Sequence, residues 1–304
     1  MSRLRRVLCP VDLRQPWHAA LGFAATLAEE FQSVLDTVYV AEGQDSRTTR
    51  LFAPRVSAVE KLMTSHNLTQ DLITLVGARA PSVTSTAEVR WGQPLRVVLA
   101  DASRRRADLI VVGGPDRPLA WRCTARFTDT LAADAPCPVL SVPGRHPPGT
   151  PSRILLGVDF SEATAPAVEW TALLARHFNS NVEVLHAERG LVSTPSELGE
   201  IEGRFGRSGV RATMRAAPGA SLLADLVGRI TDDPFELVVV GVEPAGTARL
   251  DTSFVERLRR LVCTPVLSIV ARPEARPVRS RDPLAGLREL LPSTLESVAQ
   301  PALA

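Results

Sequence analysis

The sequence has few of the residues that mark disulfide-stabilised, metal-binding or membrane proteins. It has four cysteines without a Cys-x-x-Cys pair, and its five histidines lie far apart in the chain. No apolar run approaches the roughly 20 residues that span a bilayer, and Pro10 and Asp12 interrupt the apolar stretch behind the basic start. Cys9, Cys137 and Cys263 lie in or beside apolar runs, which predicts buried thiols. We therefore expect a soluble, cytoplasmic protein with reduced thiols, no metal site and no membrane segment.

An excess of either charge is also absent. The formal net charge is +2 for 304 residues, and the basic residues are nearly all arginine. A nearly neutral chain has no long-range attraction to nucleic acid or to an anionic membrane, so neither is predicted as a partner. The hydrophobic fraction of 45% and the charged fraction of 22% are those of an ordinary globular protein.

The sequence does contain an internal repeat. The apolar segments of copy one recur in the same order in copy two: 6–12 (RVLCPVD) with 153–159 (RILLGVD), 34–40 (VLDTVYV) with 182–186 (VEVLH), 107–113 (ADLIVVG) with 235–241 (FELVVVG), and 135–142 (APCPVLSV) with 262–269 (VCTPVLSI). A helical pattern follows the first segment of each copy, with Pro16 at a first helical position and Ser161 as the expected N-cap. These landmarks indicate two tandem copies of one domain.

Domain boundaries follow from composition and from the repeat. A Pro/Gly-rich stretch at 143–151 links the copies, and Arg and Pro dominate after Ala271. The predicted domains are residues 1–146 and 151–272, followed by an exposed tail at 273–304 that forms a short helix or none. Copy one is the longer because of an insertion with a helix around 56–66, where copy two has a short helix or a loop.

Short apolar strands that alternate with helices need crossover connections, which give a parallel sheet covered on both faces. We therefore predict two tandem doubly wound parallel-sheet sandwiches of the Rossmann-like α/β class. Ligands of such sheets bind at the carboxyl ends of the strands, near the point where the strand order reverses. Asp12 and Gly113 of copy one, and Asp159 and Gly241 of copy two, fall at such strand ends.

Three of these landmarks together resemble the universal stress protein family: the strand ending in Val-Asp, the Asp-Leu-Ile-Val-Val-Gly strand and the Ala-Pro-Cys-Pro-Val-Leu segment. The resemblance extends from Arg3 to Val270 and is to double-domain members with an adenine-nucleotide α-hydrolase-like fold. In the ATP-binding branch it implies that the strand-one Asp contacts the adenine end of the nucleotide. A loop Gly-x-x-Gly-x9-Gly-Ser/Thr then holds ribose and phosphates, because glycine lets the backbone approach them.

Both copies depart from that loop. In copy one Gly113 is followed by Gly-Pro-Asp at 114–116, and the Gly-Ser pair falls on Ala-Arg at 125–126, which disfavours ATP.

In copy two the second glycine comes only at Gly246, and the Gly-Ser pair falls on Thr252 and Ser253. Ser253 keeps a hydroxyl that suits both an N-cap and a phosphate ligand, whereas Glu243 is unfavourable for a triphosphate. Copy two is therefore the better candidate for ATP.

Each of these residues also has a purely structural interpretation. A strand-end aspartate such as Asp12 or Asp159 often accepts backbone N–H bonds from the loop that follows it, and Gly113 and Gly241 fit a simple turn. Both interpretations remain open from the sequence.

No arrangement of nucleophile, base and oxyanion donors is visible, and no Walker-type Gly-Lys-Ser/Thr occurs, so no enzyme is predicted. The leading hypothesis is a non-catalytic stress-response protein with degenerate nucleotide-binding loops, acting through dimerisation or partner binding and without an assigned cofactor. The alternative is a regulatory switch that binds ATP in copy two.

The resemblance also implies self-association through the final strands, here 139–142 and 266–270, because their edges are otherwise open. Two arrangements remain open: pairing of the two copies as an internal pseudo-dimer, or pairing of two chains as a homodimer. A protein partner is compatible with either.

Overall fold

The computed structural model describes residues 4–12, 18–41, 58–114, 125–147, 149–187, 195–217, 221–243 and 250–271. Strands and helices alternate along the chain. Copy one contains β1 (Arg6–Val11), α1 (His18–Phe31), β2 (Val34–Ala41), α2 (Ala58–Arg79), β3 (Ser85–Trp91), α3 (Pro94–Arg105), β4 (Leu109–Gly114), α4 (Ala125–Asp134) and β5 (Val139–Pro143). Copy two contains β6 (Arg153–Val158), α5 (Thr164–Phe178), β7 (Asn181–Ala187), α6 (Pro195–Arg207), β8 (Ala212–Ala217), α7 (Leu222–Asp232), β9 (Leu237–Val242), α8 (Thr252–Leu261) and β10 (Val266–Val270).

The strands form one ten-stranded sheet in the order β3-β2-β1-β4-β5-β10-β9-β6-β7-β8. Neighbouring strands are parallel within each copy, and β5 pairs with β10 antiparallel. The predicted fold class, two tandem doubly wound parallel sheets, is therefore confirmed. Of the two pairings left open for the final strands, the structure contains the internal one, which places Met1–Ala271 in one compact unit.

Helices cover both faces of the sheet because successive side chains of a strand point to opposite faces. In β1, Val7 and Cys9 belong to the core beneath α1, whereas Leu8 belongs to the core beneath α3 and α4. The helical pattern after the first segment of copy one forms α1, which buries apolar residues that include Phe23 and Leu27. Pro16, the predicted first helical position, lies outside the described residues, as does the tail at 273–304.

The two edge strands, β3 and β8, are absent from the sequence prediction. Their sequences, STAEVRW and ATMRAA, carry charged residues and lack the continuous apolar run of the central strands. The helix predicted around 56–66 extends as α2 to Arg79, and in copy two the short helix was the correct alternative, as α6.

Each copy holds a carboxylate of its second strand in an ion pair on the face opposite the first helix. Asp36 is buried between Arg6, at 2.7 Å, and Arg105, at 2.9 Å. Glu183 occupies the same register position in copy two and binds Arg229 through two hydrogen bonds of 2.5 and 2.8 Å. These pairs lie next to the edge strands, where inward-facing charges discourage pairing with other chains.

The prediction that the cysteines are buried is correct for some of them and wrong for others. Cys9 lies in the core, where burial raises the pKa of its thiol to about 12, and Cys137 is half-buried. Cys263 is exposed, so its predicted burial is wrong: it lies in the turn before β10 and not in the strand. Cys123 is outside the described residues.

Within the described parts of the chain, no helix combines the length and the apolarity that a membrane span needs. The same residues contain no cluster of His, Cys, Asp and Glu suited to a metal ion.

Candidate functional site

The carboxyl edge of the sheet in copy two brings most of the predicted site residues together. Asp159 follows β6, Gly241 lies in β9, and Thr252 and Ser253 form the first turn of α8. This edge is where the strand order reverses between β6 and β9, as expected for a doubly wound sheet. Gly246, the predicted second glycine of the loop, lies outside the described residues.

The carboxylate of Asp159 is buried and accepts hydrogen bonds from the backbone. Its Oδ1 accepts from the Ser161 N–H at 3.0 Å, and its Oδ2 accepts from the Leu250 N–H at 3.1 Å. The first bond closes the turn that leads into α5, and the second ties β6 to the segment before α8. Asp159 thus has the structural role that the sequence allowed, as an acceptor for backbone N–H groups. Its two bonds lie on the two sides of the crevice, the space between the start of α5 and the segment before α8.

A second carboxylate, that of Glu243, lies at the beginning of α5. Its Oε1 accepts a hydrogen bond from the Ala163 N–H at 2.9 Å, and its own N–H donates to the Leu250 carbonyl at 2.8 Å. The amino end of a helix attracts anions because its first N–H groups are free and its dipole is positive there. In this chain Glu243 supplies that anion.

The predicted N-cap of α5 is wrong. Ala163, which has no capping side chain, takes that position instead of Ser161. The reason is that the Ser161 N–H turns back toward Asp159, which starts the helix two residues later than a Ser161 cap requires. The Ser161 and Thr164 hydroxyl oxygens are buried and lack a hydrogen-bond partner in the described structure.

Phe160, which precedes Ser161, has a φ of +59°, a left-handed conformation that is uncommon for a phenylalanine. Its ring lies 5.9 Å from that of His186 on β7. The sequence analysis missed this residue and the two hydroxyls, and the Ser-x-x-Thr spacing after Asp159 was the available signal.

Gly241 has a packing role. A Cβ atom added there would lie 2.3 Å from the carbonyl oxygen of Ala163 and 2.7 Å from its carbonyl carbon. Since real Cβ atoms do not approach backbone this closely, only glycine lets β9 pass the start of α5 at this distance.

The predicted N-cap of α8 is also wrong. Asp251, not Ser253, caps the helix, and its Oδ1 accepts from the Phe254 N–H at 2.9 Å. The Ser253 hydroxyl donates to the same oxygen at 2.6 Å. The helix begins at Thr252, and an N-cap must precede the first helical residue, so Ser253 is too far into the helix to cap it.

We predict that Asp251→Ala lowers the free energy of unfolding by about 1 kcal/mol, because the Phe254 N–H loses its side-chain acceptor. Ser253→Ala is the matched control and should cost clearly less, since it leaves the cap intact. Urea denaturation of both variants measures the difference. A larger loss for Ser253→Ala would contradict the assignment of the cap.

In copy one Asp12 is half-buried at the end of β1. Gly113 lies in β4, where it pairs with Val142 of β5. Pairing of β1 with β4 stops at Leu8, because Pro10 has no N–H to donate. The loop after Gly114 lies outside the described residues, and α4 begins at Ala125, the position of the missing glycine.

The Universal stress protein family model matches this chain twice, at residues 3–143 and 151–267. The chain belongs to the universal stress protein family. Its two matches are the two halves of the sheet, so it has a tandem universal stress protein architecture. A search of the curated proteins found no match.

Two solved structures, one of them a universal stress protein, share the fold. One from Archaeoglobus fulgidus is 14% identical with a TM-score of 0.69, covering 88% of this chain and 99% of its own. A functionally unknown protein from Pseudomonas aeruginosa is 17% identical with a TM-score of 0.57, covering 88% of this chain and 92% of its own. At such identities the similarity concerns the fold alone.

Proposed function

We propose that this universal stress protein is a non-catalytic, cytoplasmic stress-response protein whose nucleotide-binding loops have degenerated. One observation carries the proposal: the backbone amides at the carboxyl edge of copy two already have acceptors within the chain. The N–H groups of Ser161 and Leu250 donate to Asp159, and that of Ala163 donates to Glu243. These are the kind of donors that a phosphate group needs.

The two carboxylates also oppose an incoming anion. A phosphate oxygen about 4 Å from Glu243 experiences a repulsion of about 4 kcal/mol per unit charge at an effective dielectric constant of about 20. A nucleotide has to overcome this repulsion and replace the internal hydrogen bonds at the same time. Copy two, which has the better sequence match to the ATP loop, is therefore poorly suited to a triphosphate.

A protein that binds no nucleotide acts through the contacts that its surface makes. The sheet of the two copies is continuous, and its outer helices are presented as one body to a protein partner. We propose that the stress response runs through such a partner, with the tandem chain serving as a ready-made pseudo-dimer.

A regulatory switch that holds ATP in copy two is the second candidate. It is favoured by the buried hydroxyls of Ser161, just before α5, and of Thr164, the first residue of α5, which lack partners in the described structure. Ser253 would supply a third hydroxyl at the start of α8. In this alternative Glu243 moves away when the nucleotide binds.

Equilibrium binding of labelled ATP distinguishes the two functions. We expect negligible binding to the wild type and to Ser253→Ala, and an affinity at least about tenfold higher in Glu243→Gln, because one carboxylate loses its charge. Glu202→Gln, on the exposed surface of α6, controls for net charge. Saturable binding to the wild type that Ser253→Ala abolishes would instead establish the switch.

A further inference from the structure

The junction between the two copies contains one buried arginine. Arg259 of α8 is 2% exposed at its side chain, and its Nη1 lies 3.3 Å from Asp129 Oδ1 on α4. Its Nη2 donates to the Ser268 hydroxyl at 2.9 Å, which donates in turn to the Val139 carbonyl at 3.1 Å. This chain of contacts joins α8 to α4 and β10 to β5.

The repeat shows that this arginine has no counterpart in copy one. Arg259 lies six residues before Pro265, and six residues before Pro138 copy one has Ala132, which is also buried. By the same alignment Asp129 corresponds to Glu256, so both copies carry an acid there. Among the described residues, the buried cation of the junction thus comes from copy two.

The opposite face of the sheet has the same asymmetry. His177, at the end of α5, lies 3.5 Å from Glu30 at the end of α1, and its ring stacks on Phe31 with centroids 3.9 Å apart. Glu30 lies three positions before Ser33, and His177 lies three positions before Ser180, the serines that precede the second strand of each copy, so Glu30 is the counterpart of His177. The preceding pair, Glu29 and Arg176, is likewise acidic in copy one and basic in copy two.

At both contacts the acid, Asp129 or Glu30, belongs to copy one, and its partner, Arg259 or His177, belongs to copy two. We propose that this charge complementarity selects the partner of the β5 edge: it favours β10 of the same chain over β5 of a second chain. Pairing of two β5 edges would bury two Asp129 carboxylates with Ala132 in place of the arginine, and would bring Glu30 against Glu30. Burial of charges without partners is the usual way in which an interface rejects the wrong partner.

The proposal concerns the junction and does not depend on whether ATP binds. It predicts that the full chain forms no dimer in which β5 pairs with β5 of a second chain. A dimer in sedimentation velocity whose two chains become linked through β5 would contradict it.

Disulfide trapping tests partner choice directly. In a full chain with all four cysteines replaced by serine, Leu140→Cys introduces one thiol opposite Leu267. Only a β5–β5 pairing of two chains brings two such thiols together, so oxidation should yield very little disulfide-linked dimer. Adding Arg259→Met, Asp129→Asn and Glu30→Gln should raise the dimer yield about tenfold, because the charge preference is removed.

The matched control changes the same charges at exposed positions away from these contacts, with Arg257→Met, Glu202→Gln and Glu162→Gln. It should leave the dimer yield as low as in the parent. Glu30→Gln alone, at the more exposed contact, gives a smaller increase in a chain whose buried pair is intact. Abundant dimer in the parent, or equal yields in the junction variant and the control, would overturn the proposal.

Discussion

Arg259→Met should lower the free energy of unfolding by about 3–5 kcal/mol, the usual cost of removing one partner of a buried ion pair. The substitution leaves the Asp129 carboxylate at the α4–α8 contact without its cation and removes the bond to Ser268. The side chain of Arg259 is 2% exposed, and this burial lowers the pKa of its guanidinium to about 10. Urea denaturation near pH 7 measures the loss.

The pH dependence identifies the cause. Burial raises the pKa of Asp129 even beside Arg259, and removal of the cation raises it further. A carboxyl group whose pKa is higher in the folded state favours folding at low pH, and this contribution is lost as the pH rises through the folded-state pKa. The variant should therefore regain stability relative to the wild type as the pH falls from neutral toward the ordinary range of an aspartate pKa.

Arg260→Met is the control for the loss of an arginine. Arg260 is exposed and pairs with Glu256 on the same helix, so its removal should cost less than about 1 kcal/mol. Adding Asp129→Asn to Arg259→Met should recover part of the stability. Equal losses for the two arginine variants, or a loss independent of pH, would argue against the buried pair.

Gly241→Ala should destabilise the fold by about 3 kcal/mol or more, because its Cβ atom would overlap the Ala163 backbone at 2.3 Å. The overlap is removed only if α5 moves away from β9. This movement also stretches the hydrogen bonds from the Ala163 N–H to Glu243 and from the Ser161 N–H to Asp159. Thermal unfolding monitored by circular dichroism measures the effect.

Gly228→Ala in α7 is the matched glycine control. A Cβ atom there meets nothing within 4 Å, and alanine is the better helix former, so this variant should be more stable by about 0.5–1 kcal/mol. If Gly241→Ala were as harmless, the close approach of β9 to α5 would not constrain position 241, and a ligand-binding role for that glycine would gain weight.

The sequence was sufficient for the fold because its central strands are buried on both faces and appear as continuous apolar runs, such as 235–241. It did not reveal β3 and β8, since a short edge strand that carries charge and lacks a continuous apolar run resembles a loop. Position 253 was misread because a helix start shifts by a residue or two among adjacent polar residues, and here Asp251 competes with Ser253.

The state of the crevice could not be predicted because it depends on contacts between distant segments. Asp159 binds the Leu250 N–H, 91 residues away, and Glu243 binds the Ala163 N–H, 80 residues away. Arg259 posed the same difficulty: an arginine in the last turn of an amphipathic helix is usually exposed, and only the packing of α8 on α4 buries it.

In copy two the carboxylates of Asp159 and Glu243 occupy the backbone N–H donors that a phosphate group would need. Amide chemical shifts of Ser161, Ala163 and Leu250, followed by NMR as ATP is added to the full-length protein, test it most directly. The account predicts that all three resonances stay in place, because their acceptors are internal. Shifts that move together and saturate with ATP would show that a nucleotide replaces those carboxylates, and would contradict the account.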